Sequence, residues 1–162
     1  MLVSEHFDLG EFGSVPMGCV SSFEFLCQNI LEPVRAFVGK PLRITSGYRS
    51  SAENAAAHGV PDSEHIATPT KCAADFTFDT TFGLQISFRA CFDWIRKNPL
   101  LPFHQCILEH TQAGGSIIHI SWNKNTLPER QALEGQAYNA FPYTSWECAD
   151  YELPDSTGLE NV

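Results

Sequence analysis

The stretch from Gln105 to Trp122 constrains the fold of this chain more than any other. Gln105–Glu109 and Ile117–Trp122 are short apolar runs, and the loop between them, Thr111 to Ser116, carries Gly114-Gly115. Two such runs across a glycine turn read as a β-hairpin. A hairpin alone is marginal in water and needs more strands or a helix to cover its apolar face. The sequence supplies the helix. Leu26, Cys27, Ile30, Leu31, Val34, Phe37 and Val38 recur at three- and four-residue steps, the period of a helix with one buried face. Ser21-Ser22-Phe23-Glu24 reads as its capping box, Pro33 predicts a kink, and Gly39-Lys40-Pro41 predicts its end. A second capping box, Asp8-Leu9-Gly10-Glu11, opens a short helical turn near the N-terminus.

Further strands are expected at Leu42–Thr45 and Ala73–Phe78. Further helices are expected at Ser51–His58 and Gly83–Lys97, the latter with Leu84, Phe88, Cys91, Phe92 and Ile95 turned inward. After Asn123 the periodicity dissolves into Pro, Gly, Asn and acidic residues with isolated aromatics at Tyr138, Phe141, Tyr143, Trp146 and Tyr151. The expected class is α+β, a small, mostly antiparallel sheet with helices packed on one side. Residues 1–122 form the expected domain, and 123–162 an irregular extension packed on the domain or on a partner.

Composition narrows the function. With 162 residues, 43% hydrophobic and 18% charged, the chain suits one soluble globular domain. No apolar stretch approaches the roughly 18 residues of a spanning helix. Met1 to Gly10 lacks the basic and apolar regions of a signal peptide, so synthesis in a cytoplasm without a leader is expected. The net charge of −9 and the scattering of the ten basic residues exclude a nucleic-acid partner. None of the six cysteines forms a C-x-x-C pair, which argues against a cysteine-only zinc site and for buried free thiols.

Metal hydrolases need about three protein ligands of neutral His or anionic carboxylate, set on rigid elements, and one open position. Four elements here offer such residues: His65 in a loop, Asp75 inside a strand beside Ala73 and Ala74, His119 in a strand, and Glu109 at the end of the strand before it. Taken singly, each has an ordinary reading. His65 could face solvent, Asp75 could begin a turn, His119 could be a core histidine bonded to backbone, and Glu109 could be a surface acid. His110, next to Glu109, points to the opposite face of an extended strand. His6, His58 and His104 read as structural or surface residues.

Order and surroundings weigh in favour of the functional readings. Gly39-Lys40-Pro41-Leu42-Arg43-Ile44-Thr45-Ser46-Gly47-Tyr48-Arg49-Ser50, with Asn54 after it, is similar to the approach segment of zinc D-Ala-D-Ala peptidases. Ser63-Glu64-His65 resembles that family's Ser-x-His, and Ala73-Ala74-Asp75 its Ala-x-Asp. Ile107-Leu108-Glu109 and Ile118-His119-Ile120-Ser121 resemble its catalytic Glu and third ligand, and His6 to Phe12 its N-terminal segment. The resemblance, to the zinc D-Ala-D-Ala carboxypeptidase and phage endolysin family, covers residues 5 to 122. Two departures stand out. Nine residues separate His65 from Asp75, about three more than usual, with Thr68-Pro69-Thr70 inserted. Ile117-Ile118 stands where relatives often carry Trp before the third ligand.

The resemblance implies a hedgehog/DD-peptidase-like fold and a Zn2+ ion held by His65, Asp75 and His119. It implies Glu109 as general base, Arg49 as the grip on a substrate carboxylate or developing oxyanion, and Ser63 as a group orienting Asp75 or His65. Tyr48 and Gln105 are weaker candidates for lining the cleft. The implied function is a zinc-dependent peptidase of peptidoglycan stem peptides or cross-links, as an endolysin or a virion-associated wall hydrolase delivered to the wall. The alternative is a zinc-bearing structural or binding subunit of a phage assembly, docked to other virion proteins through the C-terminal extension. Hedgehog-type domains share such a metal fold while acting as ligands.

Overall fold

The computed structural model describes residues 1–81, 86–127, 129–136 and 143–152. Asp8 caps a 3-10 turn over Leu9–Phe12 through the expected capping box with Glu11. The long helical stretch begins two residues earlier than its sequence signal: Cys19, not Ser21, is the N-cap, without a side-chain cap, and Ser22 Oγ donates to the Cys19 carbonyl. Helix α1 spans Val20–Leu26 and α2 spans Glu32–Val38, joined by a π turn over Cys27–Leu31. Pro33 has no N–H and crowds the carbonyl four residues back; the wider turn just before it accommodates that conflict. Gly39, at φ 69°, ends α2 in the left-handed region. Helix α3 covers Ser51–Ala56, with Ser50 and Glu53 as its capping box, and α4 covers Phe88–Lys97 from a Ser87 cap. Gly83 and Leu84, expected at the start of α4, lie outside the described residues.

Strands β1 (Arg43–Ser46), β2 (Lys71–Thr77), β3 (Gln105–His110), β4 (Ser116–Asn123), β5 (Gln131–Gln136) and β6 (Thr144–Trp146) form one sheet in the order β1-β2-β4-β3-β5-β6. Every pairing is antiparallel except β3 with β5. The class is therefore the expected α+β, with a small, mostly antiparallel sheet. The strands β5 and β6 correct the sequence reading of an irregular stretch after Asn123. Gln131–Gln136 holds only Ala132 and Leu133 as apolar residues, too few to show a strand period, yet Ala132 is buried in the core.

Helices α1, α2 and α4 share one core with one sheet face. That face is lined by Cys72, Ala74 and Phe76 of β2, Cys106 and Leu108 of β3, and Ile118, Ile120 and Trp122 of β4. Phe25 stacks on Trp122 with ring centroids 4.4 Å apart. Successive side chains of a strand alternate faces. The residues between these core positions, Asp75, Ile107, Glu109, Ile117 and His119, therefore stand on the opposite face. His110 turns toward the helices, as its neighbour's position requires, and bonds Glu134 and Ser116. All six cysteines are unpaired, and all but Cys148 are buried. Among the described residues no helix is long and apolar enough to cross a membrane.

Candidate metal centre

Asp75 and His119 are direct cross-strand partners on β2 and β4, two central strands. Opposed residues in an antiparallel pair stand side by side on one face, and His119 Nδ1 lies 2.8 Å from Asp75 Oδ1. His65 arrives from the loop after α3. Its turn is closed by the Ile66 N–H donating to the Ser63 carbonyl, and the His65 N–H lies 3.3 Å from Ser63 Oγ. His65 Nε2 is 3.2 Å from both Asp75 Oδ1 and His119 Nδ1. The three residues are buried, and their ligand atoms all lie within 4.8 Å of one another.

The donor set fits a cation. The Gly47 carbonyl, 2.6 Å from His65 Nδ1, can only accept, so Nδ1 carries the ring proton. In the neutral ring Nε2 then presents a lone pair to a carboxylate oxygen and a second imidazole. Three such atoms turned inward make the two-nitrogen, one-oxygen set that suits zinc. Electrostatics agree. Burial would push Asp75 up, but the two imidazoles beside it hold it far below the usual carboxylate range. Burial would push His119 down, but Asp75's hydrogen bond and charge outweigh this and hold the ring above its ordinary value.

Arg49 completes the set around Asp75. Its Nη2 donates to Asp75 Oδ2 at 2.9 Å, and its Nε donates to Ser46 Oγ at 2.9 Å. The arginine thus occupies one carboxylate oxygen and leaves Oδ1 to the histidines. The backbone locks the same pair, since the Arg49 N–H donates to the His65 carbonyl at 2.9 Å. This partner for Arg49 was not visible in the sequence.

Glu109 lies on the same sheet face. Its neighbour two residues back, Ile107, sits opposite His119, so Glu109 is diagonal to His119 across the β3–β4 pair. Its Oε1 accepts from the Tyr143 hydroxyl at 3.0 Å. Of the weaker candidates, Gln105 bonds Gln131 along the sheet, and Tyr48 packs against the hydrophobic core. Ser63 bonds the His65 backbone and not an imidazole nitrogen. Sequence reasoning missed the Tyr143 contact, and it also missed a half-buried pair beside the centre. Glu64, next to His65, accepts from His104 Nδ1 at 2.9 Å. Burial would raise Glu64, but the His104 and Ser121 hydrogen bonds hold it below the usual range.

An α+β sheet face carrying Asp75 and His119, joined by His65 from a loop and with the Glu109 carboxylate diagonal to His119, presents a candidate site for one metal ion. A family model described as Peptidase M15 matches residues 9–89, half of the chain, and the chain belongs to that family of zinc-dependent metallopeptidases. A search of curated proteins finds no match. The matched segment includes Arg49, His65 and Asp75; His119, Glu109 and Tyr143 come from the half beyond it.

Proposed function

We propose that this protein is a zinc peptidase that hydrolyses an amide bond in peptidoglycan stem peptides or cross-links. The observation that carries this reading is the convergence of His65, Asp75 and His119 within 4.8 Å, with Glu109 on the adjacent strand of the same face. Resemblance to phage endolysins supports delivery to the wall by lysis or as part of a virion.

In this reading His65, Asp75 and His119 hold the ion, which when bound supplies Lewis acidity that polarises a carbonyl oxygen and acidifies a water. The chain's own groups do the rest. Glu109 takes a proton from the attacking water as the carbon–oxygen bond forms. It returns that proton to the amide nitrogen as the carbon–nitrogen bond breaks, and the water's second proton passes to the amine, so the products are a carboxylate and an ammonium. Arg49 uses two of its five donors on Ser46 and Asp75. Its remaining donors suit a substrate carboxylate or an oxygen gaining negative charge. Gln105 lies further along the same face, where substrate chain can extend.

The test is hydrolysis of purified peptidoglycan by zinc-loaded protein, followed as released amine, beside Glu109→Gln. The variant should keep its zinc and lose about 10²–10⁴-fold in rate, the usual contribution of a general base. Wild type without turnover, matched by the variant in stability and metal content, would instead make the chain a zinc-bearing structural subunit.

A further inference from the structure

Tyr143 belongs to the segment after Asn123, expected from the sequence to be an irregular extension packed on the domain or on a partner. Two features bring it to the metal face. The parallel pairing of β3 with β5 sets Gly135 in register with Glu109. Any side chain at Gly135 would collide with the tyrosine, because a Cβ there would stand 2.5 Å from Tyr143 Cδ1. The glycine thus makes room for the tyrosine ring to lie over β5. From there the hydroxyl reaches Glu109 Oε1 at 3.0 Å.

The residues after Tyr143 fix its place. Thr144 pairs with Glu134 and Trp146 with Ala132. Trp146 Nε1 donates to Glu134, and the Arg89 and Arg96 guanidinium groups lie 4.8 and 5.2 Å from the Trp146 ring centroid. Burial and the neighbouring Glu109 charge push the Tyr143 phenol up to about 12, so it stays protonated and can donate. A phenol donor on one carboxylate oxygen removes the free rotation of that carboxylate. That bond engages Oε1 and not Oε2.

We propose that Tyr143 is a positioning residue for the peptidase reaction, acting through Glu109 and seated by Gly135. The inference rests on the peptidase reading above. A hydrogen bond to a charged group corresponds to about a 10–100-fold effect when removed.

The experiment is a double-mutant cycle on zinc-loaded, full-length protein with a defined stem peptide, using Tyr143→Phe, Glu109→Gln and the pair. Tyr143→Phe should lower kcat about 10–100-fold, leave KM within about twofold and keep one zinc per chain. In the Glu109→Gln background it should cost nothing further. A second readout needs no turnover. In zinc-free protein grown with 3-fluorotyrosine, the 19F resonance absent from Tyr143→Phe should move in Glu109→Gln. Wild-type kcat in Tyr143→Phe beside an inactive Glu109→Gln would overturn the inference alone. So would an equal loss in both backgrounds, or an unmoved 19F signal. Full hydrolysis by Glu109→Gln would overturn Glu109 as the general base, and a wild type without turnover would overturn the peptidase reading itself.

Discussion

The imidazole of His65 is held by the carbonyl oxygen of Gly47, 2.6 Å from Nδ1, although 18 residues separate the two in sequence. Gly47 has no room for any side chain. A Cβ there would stand 2.6 Å from the Phe12 Cα and carbonyl oxygen, which are backbone and cannot turn aside. Gly47→Ala should therefore shift the carbonyl that fixes the His65 tautomer. We expect a loss of about 1–3 kcal/mol from overpacking. We also expect about 10–100-fold weaker zinc binding, the usual cost of disturbing a group that orients a ligand. Urea denaturation of the zinc-free protein and chelator competition measure the two effects separately.

Zinc should stabilise the native protein by an amount that grows with the logarithm of its excess over Kd. At a hundredfold excess, linkage gives about 2.7 kcal/mol, which in a chain of this size raises Tm by roughly 5–10 °C. His65→Ala and His119→Ala should abolish both the shift and the stoichiometric zinc, read by elemental analysis of protein purified without a histidine tag. A shift that survives in either variant would place the ion elsewhere.

Arg49→Lys tests how Asp75 is held. One ammonium cannot reproduce a fork that bonds Ser46 Oγ and Asp75 Oδ2 together. With Oδ2 released, the carboxylate is free to turn away from the histidines. Zinc affinity should fall about 10–100-fold, and peptidase activity should fall with it. Unchanged affinity would show that the Arg49 contact does not orient the ligand.

Acid should destabilise the zinc-free protein in part through two carboxylates outside the candidate ligand set. Glu32 accepts from Ser4 Oγ and from the backbone and ring nitrogens of His6. Glu134 accepts from Arg89, His110 and Trp146. Burial opposes ionisation at both, but these donors prevail and hold both below the ordinary range. A carboxyl whose folded pKa is depressed contributes stability above its unfolded value, about 4.3 for Glu. That stability is lost as pH falls through the lower folded value. Urea midpoints should thus decline from about pH 4.5 downward, and Glu32→Gln with Glu134→Gln should make the decline shallower.

The candidate metal ligands were legible through the order of short motifs that resembles the family, Ser63-Glu64-His65, Ala73-Ala74-Asp75 and Ile118-His119-Ile120-Ser121, since each residue taken singly had an ordinary reading. Asp75 between Ala74 and Phe76, and His119 among isoleucines, are polar groups inside apolar strands and need partners. What surrounds them was less legible. The Asp75–Arg49 contact spans 26 residues and the Glu109–Tyr143 contact 34. No local period encodes such pairings. Strand β5 escaped because it pairs in parallel with β3 and shows only two adjacent apolar residues. The Ser21 capping signal failed for a different reason: a 3-10 turn over Met17–Cys19 runs straight into α1, so the helix has already begun.

Strand β6 is three residues long, lies at the margin of the sheet and has exposed side chains. Its backbone bonds run to one neighbour, whereas β2 and β4 are paired along both edges. Fraying therefore begins at β6, where opening breaks few bonds and uncovers little apolar surface. Such an excursion would withdraw the Tyr143 hydroxyl from Glu109 while Asp75 and His119 kept their registry. Amide exchange would register this as two tiers, fast around Thr144–Trp146 and slow along β2 and β4. In the proposed reading, holding an ion at Asp75 and His119 and orienting Glu109 would thus answer to separate local equilibria.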